Sequence, residues 1–542
     1  MFQSNAECIP QCQFILDNST SPYAQIVAIS SLETLITQFW NNFTPEQKLT
    51  IRNYVLNFLA TNVGSLQDFV LGNLAKLTCR ITKLGWFDSS DHRDIIEETR
   101  KFLQATIEHH IVGLRLLIAL VDEMNSPTSG RTLTVHRKTA VSFRDQALFQ
   151  IFQISITTLR HLQSGGIVDA SESQSLSIAN YALALATGCL SFDFIGTNPE
   201  ESAEDVGTVQ VPSSWRPVVQ DTTTMQLFFE CYRGSEPPRS NQALQAIVQL
   251  SSVRRSLFSS EKERTVFLQA LMNNIQDIMR TKLGLEYEEN YHEFCRLLGR
   301  LKASYQLSEL VRVTGFADWL ELASSFTITS LGNWQHSMNS IHYLLALWGR
   351  MVAALPYLRT DSDSQRESLI LRQSVLQVTQ AYITTVLNSV DVCCRDEDVE
   401  DPLDDEGSLK EQMDRLPVIA RLQYETVAQH LLDLFEEAMG MYEQSLAQFS
   451  PHNPDIVLQV RILEGRMTWL THMVKFANTS HNLKFDQLIY LFCLHYLGKC
   501  GNRSAVTFRS PAHQHGASMG WTAFPMCFQA CTSADEHSLS IV

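Results

Sequence analysis

Apolar side chains recur along this chain at helical spacing almost without interruption. Ile341, Leu344, Leu345, Trp348, Val352 and Leu355 fall at steps of 3, 4, 7, 11 and 14, one stripe over four turns. Phe267, Leu271, Ile275 and Ile278 form a second stripe, and Leu244, Ile247 and Val248 a third. Strand-type alternation sustained over five or more positions is hard to find. Proline and polar clusters punctuate the stripes at Ser21-Pro22, Thr44-Pro45, Ser126-Pro127, Pro237-Pro238 and Asn453-Pro454. Thr44-Pro45-Glu46-Gln47 predicts a helix start, with Thr44 as N-cap, Pro45 at the first helical position and Gln47 closing a capping box.

The predicted helices come in pairs. Segment 22–40 is followed by 45–60, then 66–84, 91–104 and 107–124. Later come 141–162 with 171–190, 224–232 with 241–257, 262–282 with 290–310, 317–334 with 339–358, 371–392 with 417–446, and 454–476. A spacing of about 40 to 50 residues per pair suits HEAT or armadillo stacking, and the roughly 34-residue period of tetratricopeptide repeats is absent. The expectation is an all-α solenoid, a right-handed arc of about nine helix pairs from Cys8 to near Phe476 without a β-sheet. Two polar stretches interrupt it. Residues 196–211 form an acidic loop. Residues 391–406 carry Asp391, Asp396, Glu397, Asp398, Glu400, Asp401, Asp404, Asp405 and Glu406 against the single base Arg395. From about Asn478 the composition shifts to Ser, His, Gly and Cys. The expected blocks are 1–130, an amino-terminal region, and 131–390, central repeats. After them come 391–416, an acidic loop, 417–477, further helices, and 478–542, a divergent and poorly ordered tail.

Composition narrows the partners. Of 542 residues, 44% are hydrophobic and 18% charged, enough to bury a core rather than remain disordered. The formal net charge of −16 repels nucleic acid and favours basic protein surfaces. Twelve scattered cysteines without a CxxC point to reduced thiols inside a cell. The start, MFQSNAECIPQCQ, lacks the regions of a signal peptide. The most apolar helix, 107–121, holds His109, His110 and Arg115 and is too short to span a bilayer, so no membrane insertion is expected.

Catalytic signals are weak. Gly516-Ala517-Ser518-Met519-Gly520 matches the GxSxG nucleophile elbow in form, but no strand precedes it. His513, His515, Cys527 and Cys531 are zinc-ligand types at an unfamiliar spacing. Tyr291-His292-Glu293-Phe294-Cys295 lacks the second histidine of a zincin, and no Walker or dinucleotide loop is present. The expectation is a protein that is not an enzyme and holds no metal or cofactor. Two basic groupings stand out: Arg254 with Arg255, closing one helix, and Arg296, Arg300 and Lys302 on another. Each reads as a solvated helix face or as a patch facing a partner. The acidic run at 391–406 divides the same way.

Several strings carry a resemblance. They are Pro22-Tyr23-Ala24-Gln25, Ile51-Arg52-Asn53-Tyr54-Val55-Leu56-Asn57, Arg80-Ile81-Thr82-Lys83-Leu84-Gly85-Trp86-Phe87 and Phe192-Asp193-Phe194-Ile195-Gly196-Thr197. Ser252-Val253-Arg254-Arg255-Ser256-Leu257-Phe258, Asn290-Tyr291-His292-Glu293-Phe294-Cys295-Arg296-Leu297-Leu298, Asp401-Pro402-Leu403 and Gly465-Arg466-Met467-Thr468-Trp469-Leu470 continue it. In this collinear order, from Glu7 to Val474, the chain resembles the exportin-7 and Ran-binding-protein-16/17 group of the importin-β superfamily. The resemblance implies a HEAT solenoid that binds the GTPase Ran in its GTP form and carries protein cargo from nucleus to cytoplasm. It implies passage through nuclear pores by way of FG-repeat nucleoporins, with GTP present only as bound to Ran. The alternative is a Ran-independent helical scaffold. By matched segment, Ran would meet 22–40, 66–84 and 107–124, with Tyr23, Lys76, Arg80 and Lys83 as candidate contacts. The acidic residues Asp396, Asp398, Glu400, Asp401, Asp404 and Asp405 are candidate Ran or cargo contacts, and Arg254, Arg255, Arg296 and Arg300 a candidate partner patch. Members of the group carry a further helix pair before the residues matching Glu7 and continue past Val474. The expectation is therefore an interrupted product, with unrelated sequence from about Asn478 to Val542.

Overall fold

A computed structural model describes residues 8–167, 169–194, 209–358, 362–396, 398–399 and 415–478, with the backbone alone at 362–365 and 474–478. The chain divides into two compact units, Met1–Ser304 and Tyr305–Val542.

In the first unit, apolar stripes and local caps set the helices. α1 (Ile9–Asn18), α2 (Pro22–Phe39) and α3 (Pro45–Thr61) lead into α4 (Asp68–Leu84), α5 (Ile95–Gln104) and α6 (Ile107–Asn125). α7 (Leu133–Phe143), α8 (Phe149–Gln163), α9 (Glu172–Leu190), α10 (Thr222–Arg233), α11 (Arg239–Ser251), α12 (Glu261–Thr281) and α13 (Glu288–Ser304) follow. The box predicted at Thr44 forms. Its hydroxyl accepts from Gln47 N at 3.3 Å, and the Gln47 amide oxygen accepts from Thr44 N at 2.9 Å. Ser171 and Gln174 repeat the device at α9. α2, α4, α6, α9, α11 and α13 pack in one row, each on the next. α1, α3, α5, α8 and α10 flank it, each packed on its own row member. This is the paired stacking that the 40-to-50-residue period predicts. Leu74, Leu77, Leu114, Leu117, Ile178 and Leu185 lie buried along the row.

Three helices of the first unit depart most from expectation at a boundary. The predicted helix 141–162 is two helices, α7 and α8, joined by a π-helical turn, Arg144–Leu148. That turn shifts the stripe relative to one 3.6-residue period, and Leu133 and Val135 of α7 face solvent, so α7 has almost no stripe to read. The predicted helix 241–257 stops at Ser251. There the Ser251 and Ser252 hydroxyls both donate to Val248 O at 2.8 Å. Val253 then joins Val209 in a parallel bridge, the only β pairing among the described residues. Arg254 and Arg255 therefore follow the helix instead of closing it. The predicted helix 290–310 ends at Ser304, and Leu307–Leu310 is a separate helical turn. Before it, Gly284 turns the chain at φ +73, where a Cβ would also meet the Tyr232 hydroxyl at 3.0 Å.

The second unit holds α14 (Phe316–Gly332), α15 (Ile341–Ala354), α16 (Ser362–Arg395), α17 (Tyr424–Ala447) and α18 (Pro454–Asn478). α16 packs on α14 and on α18, and α17 packs on α18. Buried Trp348 donates its indole N–H to Thr327 Oγ1 at 3.0 Å, tying α15 to α14. α16 extends the predicted 371–392 at both ends, so Asp391 is helical and accepts from Arg395 Nε at 2.9 Å. The acidic stretch thus leaves the helix only after Arg395. Among the described residues no helix is long and apolar enough to cross a membrane.

Candidate functional site on the row of α2, α4 and α6

The four basic and aromatic candidates on this row separate into two kinds. Tyr23, in the first turn of α2, is 81% exposed, and Val27 one turn later is 58% exposed. Lys76, midway along α4, faces solvent within electrostatic reach of Asp122 on α6. Phe69, at the start of α4, is half exposed. These side chains are available to a partner. Exposed aromatics such as Tyr23 are a residue type enriched at interface hot spots.

Arg80 and Lys83 turn inward. Arg80 grips Glu123 of α6 with two prongs, Nε to Oε1 at 2.6 Å and Nη2 to Oε2 at 3.1 Å. It also reaches Glu33 of α2 at 3.5 Å. The Lys83 ammonium donates to the backbone oxygens of Glu123, at 2.6 Å, and Ser126, beyond the end of α6. Burial pushes Lys83 down to about 8 against the pull of Glu123. Glu123 is thus the hub of a network holding α2, α4 and α6 in register, and a bidentate pair of this kind is geometrically specific.

Arg115 plays the same part at the other end and was not singled out from sequence. It pairs with the Asp68 carboxylate, donates Nη2 to Asp68 O at 2.9 Å and lies over the Tyr181 ring of α9 at 5.7 Å. Gly72 leaves room for it, since a Cβ there would stand 3.2 Å from Nη2. A signal existed in the spacing. Arg80 and Glu123 are 43 residues apart, Asp68 and Arg115 47, about one helix pair.

The other candidates lie elsewhere. On the first unit, Arg254 Nη1 reaches Gln210 Oε1 at 3.5 Å, and Arg255 pairs with Glu261 in solvent. Arg296 pairs within α13 with the buried carboxylate of Glu293 at 2.9 Å, and Arg300 is half-buried one turn on. Of these, Arg255 stands out furthest. In the second unit, Asp396 Oδ1 accepts from Asp398 N at 3.1 Å, closing a tight turn after α16. Glu400, Asp401, Asp404 and Asp405 lie outside the described residues, as do Ser518, His513, His515, Cys527 and Cys531. Cys295, inside one of the strings quoted above, is fully enclosed. Burial pushes its thiol up, as it does those of Cys79 and Cys189, so all three pack as small apolar groups rather than as nucleophiles.

Comparison with known proteins agrees with this architecture. Residues 1–61 match the family described as "Importin-beta N-terminal domain", and residues 390–482 that described as "Exportin-7-like, TPR domain". Exportin-7-A of Xenopus laevis is 40% identical over 90% of this chain and 44% of its own length. Ran-binding protein 17 of Homo sapiens is 38% identical over 86% of the chain and 42% of its own. Exportin-7 of Dictyostelium discoideum is 32% identical over 69% and 35%. The chain thus spans less than half the length of these relatives. With similarity sustained over nine-tenths of its residues and two family domains matched within it, the chain belongs to the exportin-7 and Ran-binding-protein-16/17 group of importin-β-type helical-repeat proteins.

Proposed function

We propose that this chain works as a nuclear transport receptor of the exportin kind, binding Ran·GTP and carrying protein cargo from nucleus to cytoplasm. The observation that carries this reading is the 40% identity with an exportin-7 together with 38% identity to a Ran-binding protein. Ran would dock on the row of α2, α4 and α6, where Tyr23, Val27, Phe69 and Lys76 stand free, with Arg80 and Lys83 acting as the braces behind it. Asp396, Asp398 and the acids that follow would draw a basic surface of Ran or cargo, and Arg255 an acidic one. Such attraction at exposed charges is screened by salt and tunes binding more than it creates it. The protein performs no catalysis of its own in this role. It takes no cofactor, GTP entering only on Ran, and it shuttles through pores by contact with FG-repeat nucleoporins.

The test is retention of Ran, loaded with GTP or GDP, on the immobilised chain. The expected result is strong preference for the GTP form. Equal retention of both forms, or of neither, would make the protein a Ran-independent helical scaffold.

A further inference from the structure

α7 is anchored through its second half. Phe143 is buried edge-on to Trp86 at 5.6 Å, and Trp86 donates its indole N–H to Ser142 Oγ at 2.9 Å. Thr139 and Ala140 are buried with them. The first two turns stand in water, started by Thr132, whose hydroxyl accepts from Val135 N at 3.4 Å. Leu133 is 52% exposed and Val135 53%, and Phe87, just after α4, is 48% exposed. Lys138 bridges the two elements, its ammonium 4.8 Å from the centre of the Phe87 ring. Leu133 and Arg137 are one turn apart on α7, as are Val135 and Lys138, so each exposed aliphatic side chain has an exposed cation beside it.

The charge here runs against that of the chain. From residue 124 to 144 the sequence has no acid and the bases Arg131, Arg137, Lys138 and Arg144, in a chain of net charge −16. Arg144 pairs with Asp145 at 2.7 Å, whereas among the described residues Arg131, Arg137 and Lys138 pair with no carboxylate. Asp88, next to Phe87 in the chain, is already engaged. It accepts from the Lys48 ammonium at 2.7 Å and from the Trp40 indole at 3.1 Å.

We infer that Phe87, Leu133, Val135, Arg137 and Lys138 bind an acidic segment of a partner protein, one that carries apolar side chains between its carboxylates. Apolar residues exposed singly need no explanation, but three interleaved with cations that lack a carboxylate partner mark a contact surface. The aliphatic and aromatic side chains take up the partner's apolar groups, and the cations set its orientation and its charge. The charge of the whole chain selects a protein segment over a lipid or a nucleic acid. An anionic bilayer or duplex extends beyond the patch and would meet the acidic remainder of the chain, which repels it. A narrow segment meets the patch alone. None of these residues belongs to the surface proposed for Ran.

The experiment is fluorescence anisotropy of a fluorescein-labelled peptide of repeated Asp-Phe-Glu-Leu units, titrated with the full chain. Saturable binding is expected, with a dissociation constant of roughly 1 to 100 µM. It should weaken several-fold between about 50 and 300 mM salt. A peptide of Asp-Ser-Glu-Ser units, with the charge but not the apolar groups, should bind about tenfold more weakly. Arg137→Glu combined with Lys138→Glu should weaken the first peptide by about tenfold or more, with unchanged circular dichroism because both side chains face water. Arg255→Glu, at an exposed base elsewhere on the first unit, should leave it as it is. Flat anisotropy, equal binding of the two peptides, or binding that survives the double substitution would each overturn the inference. So would retention on vesicles of phosphatidylserine and phosphatidylcholine that the double substitution abolishes, which would make the surface a membrane contact. Binding that appears only once Glu200, Glu201, Glu204 and Asp205 are neutralised would give the surface to the chain's own acidic segment instead. Ran·GTP retention by the double variant should match that of the unaltered chain, so this inference and the proposed function fail separately.

Discussion

Gly85 and His92 show how much of this protein is decided by one atom. A Cβ at Gly85 would stand 2.5 Å from the His92 imidazole, so the ring occupies the volume where a side chain would be. The backbone there, at φ −87, suits any residue, so the reason for glycine is space and not conformation. Gly85→Ala should lower the stability of the first unit by roughly 2–3 kcal/mol, read by urea unfolding. His92 itself is enclosed, with Trp40 edge-on at 5.9 Å. Burial, helped by neighbouring Arg52, pushes the imidazole down to about 4. The unfolded chain, with an ordinary histidine near 6.5, therefore binds the extra proton first. The stability His92 contributes is complete above about pH 6.5 and is lost as pH falls toward 4, about 2 kcal/mol of it by pH 5. His92→Asn should flatten the fall in unfolding free energy between pH 7 and 5 by that amount. An unchanged slope would assign it to His110 and His136, whose imidazoles burial also pushes down. None of this is legible in the string Ser89-Ser90-Asp91-His92-Arg93-Asp94, which reads as a polar loop. The same limit explains why Arg80 and Lys83 looked like partner contacts. Sequence displays a cation, and only the fold shows that Glu123 already holds it.

At the scale of helices, what is local was legible and what depends on a distant neighbour was not. Thr44, Pro45 and Gln47 specify the start of α3 within four residues, and the box forms as predicted. Thr44→Ala should cost about 1 kcal/mol of unfolding free energy, and a loss near zero would mean that packing alone holds that terminus. By contrast, the end of α11 depends on Val209, 44 positions before Val253, and the break between α7 and α8 on Arg144. That guanidinium donates to Phe194 O at 2.5 Å. Contacts about one helix-pair period apart in sequence recur elsewhere in the first unit. Lys48 with Asp88 and Arg233 with Asp277 repeat the 40-to-47-residue separation of Arg80 with Glu123 and Asp68 with Arg115. Arg80→Ala and Glu123→Ala should therefore couple by about 1–2 kcal/mol in a double-mutant cycle. Additive effects would show that the apolar row, not this network, sets the register of α4 against α6.

For the whole molecule, the helix-pair period and the family strings were readable, while the division at Ser304 and Tyr305 was not. It falls inside the proline-free stretch from Arg239 to Leu355, where composition marks no boundary. The candidate Ran surface was readable only to the level of segments. Structure separates the candidate residues into exposed side chains and internal braces, and that separation predicts two kinds of mutant. Tyr23→Ala removes an exposed aromatic and should weaken Ran·GTP by about 2 kcal/mol, some thirtyfold, with no change in thermal midpoint. Arg80→Ala should lower the midpoint, and any loss of Ran binding should follow from that. Lys76→Ala should cost less than Tyr23→Ala and cost more at about 50 mM salt than at 300 mM, because an exposed charge acts through a screened field. Neutralising Asp396, Asp398, Asp401 and Asp404 together should show the same salt dependence. Titration of Ran·GTP onto each variant, beside its melting curve, separates the cases. If Arg80→Ala weakens Ran binding with its melting curve unmoved, the guanidinium leaves Glu123 to meet Ran. If Tyr23→Ala changes nothing, the Ran surface lies away from the first turn of α2.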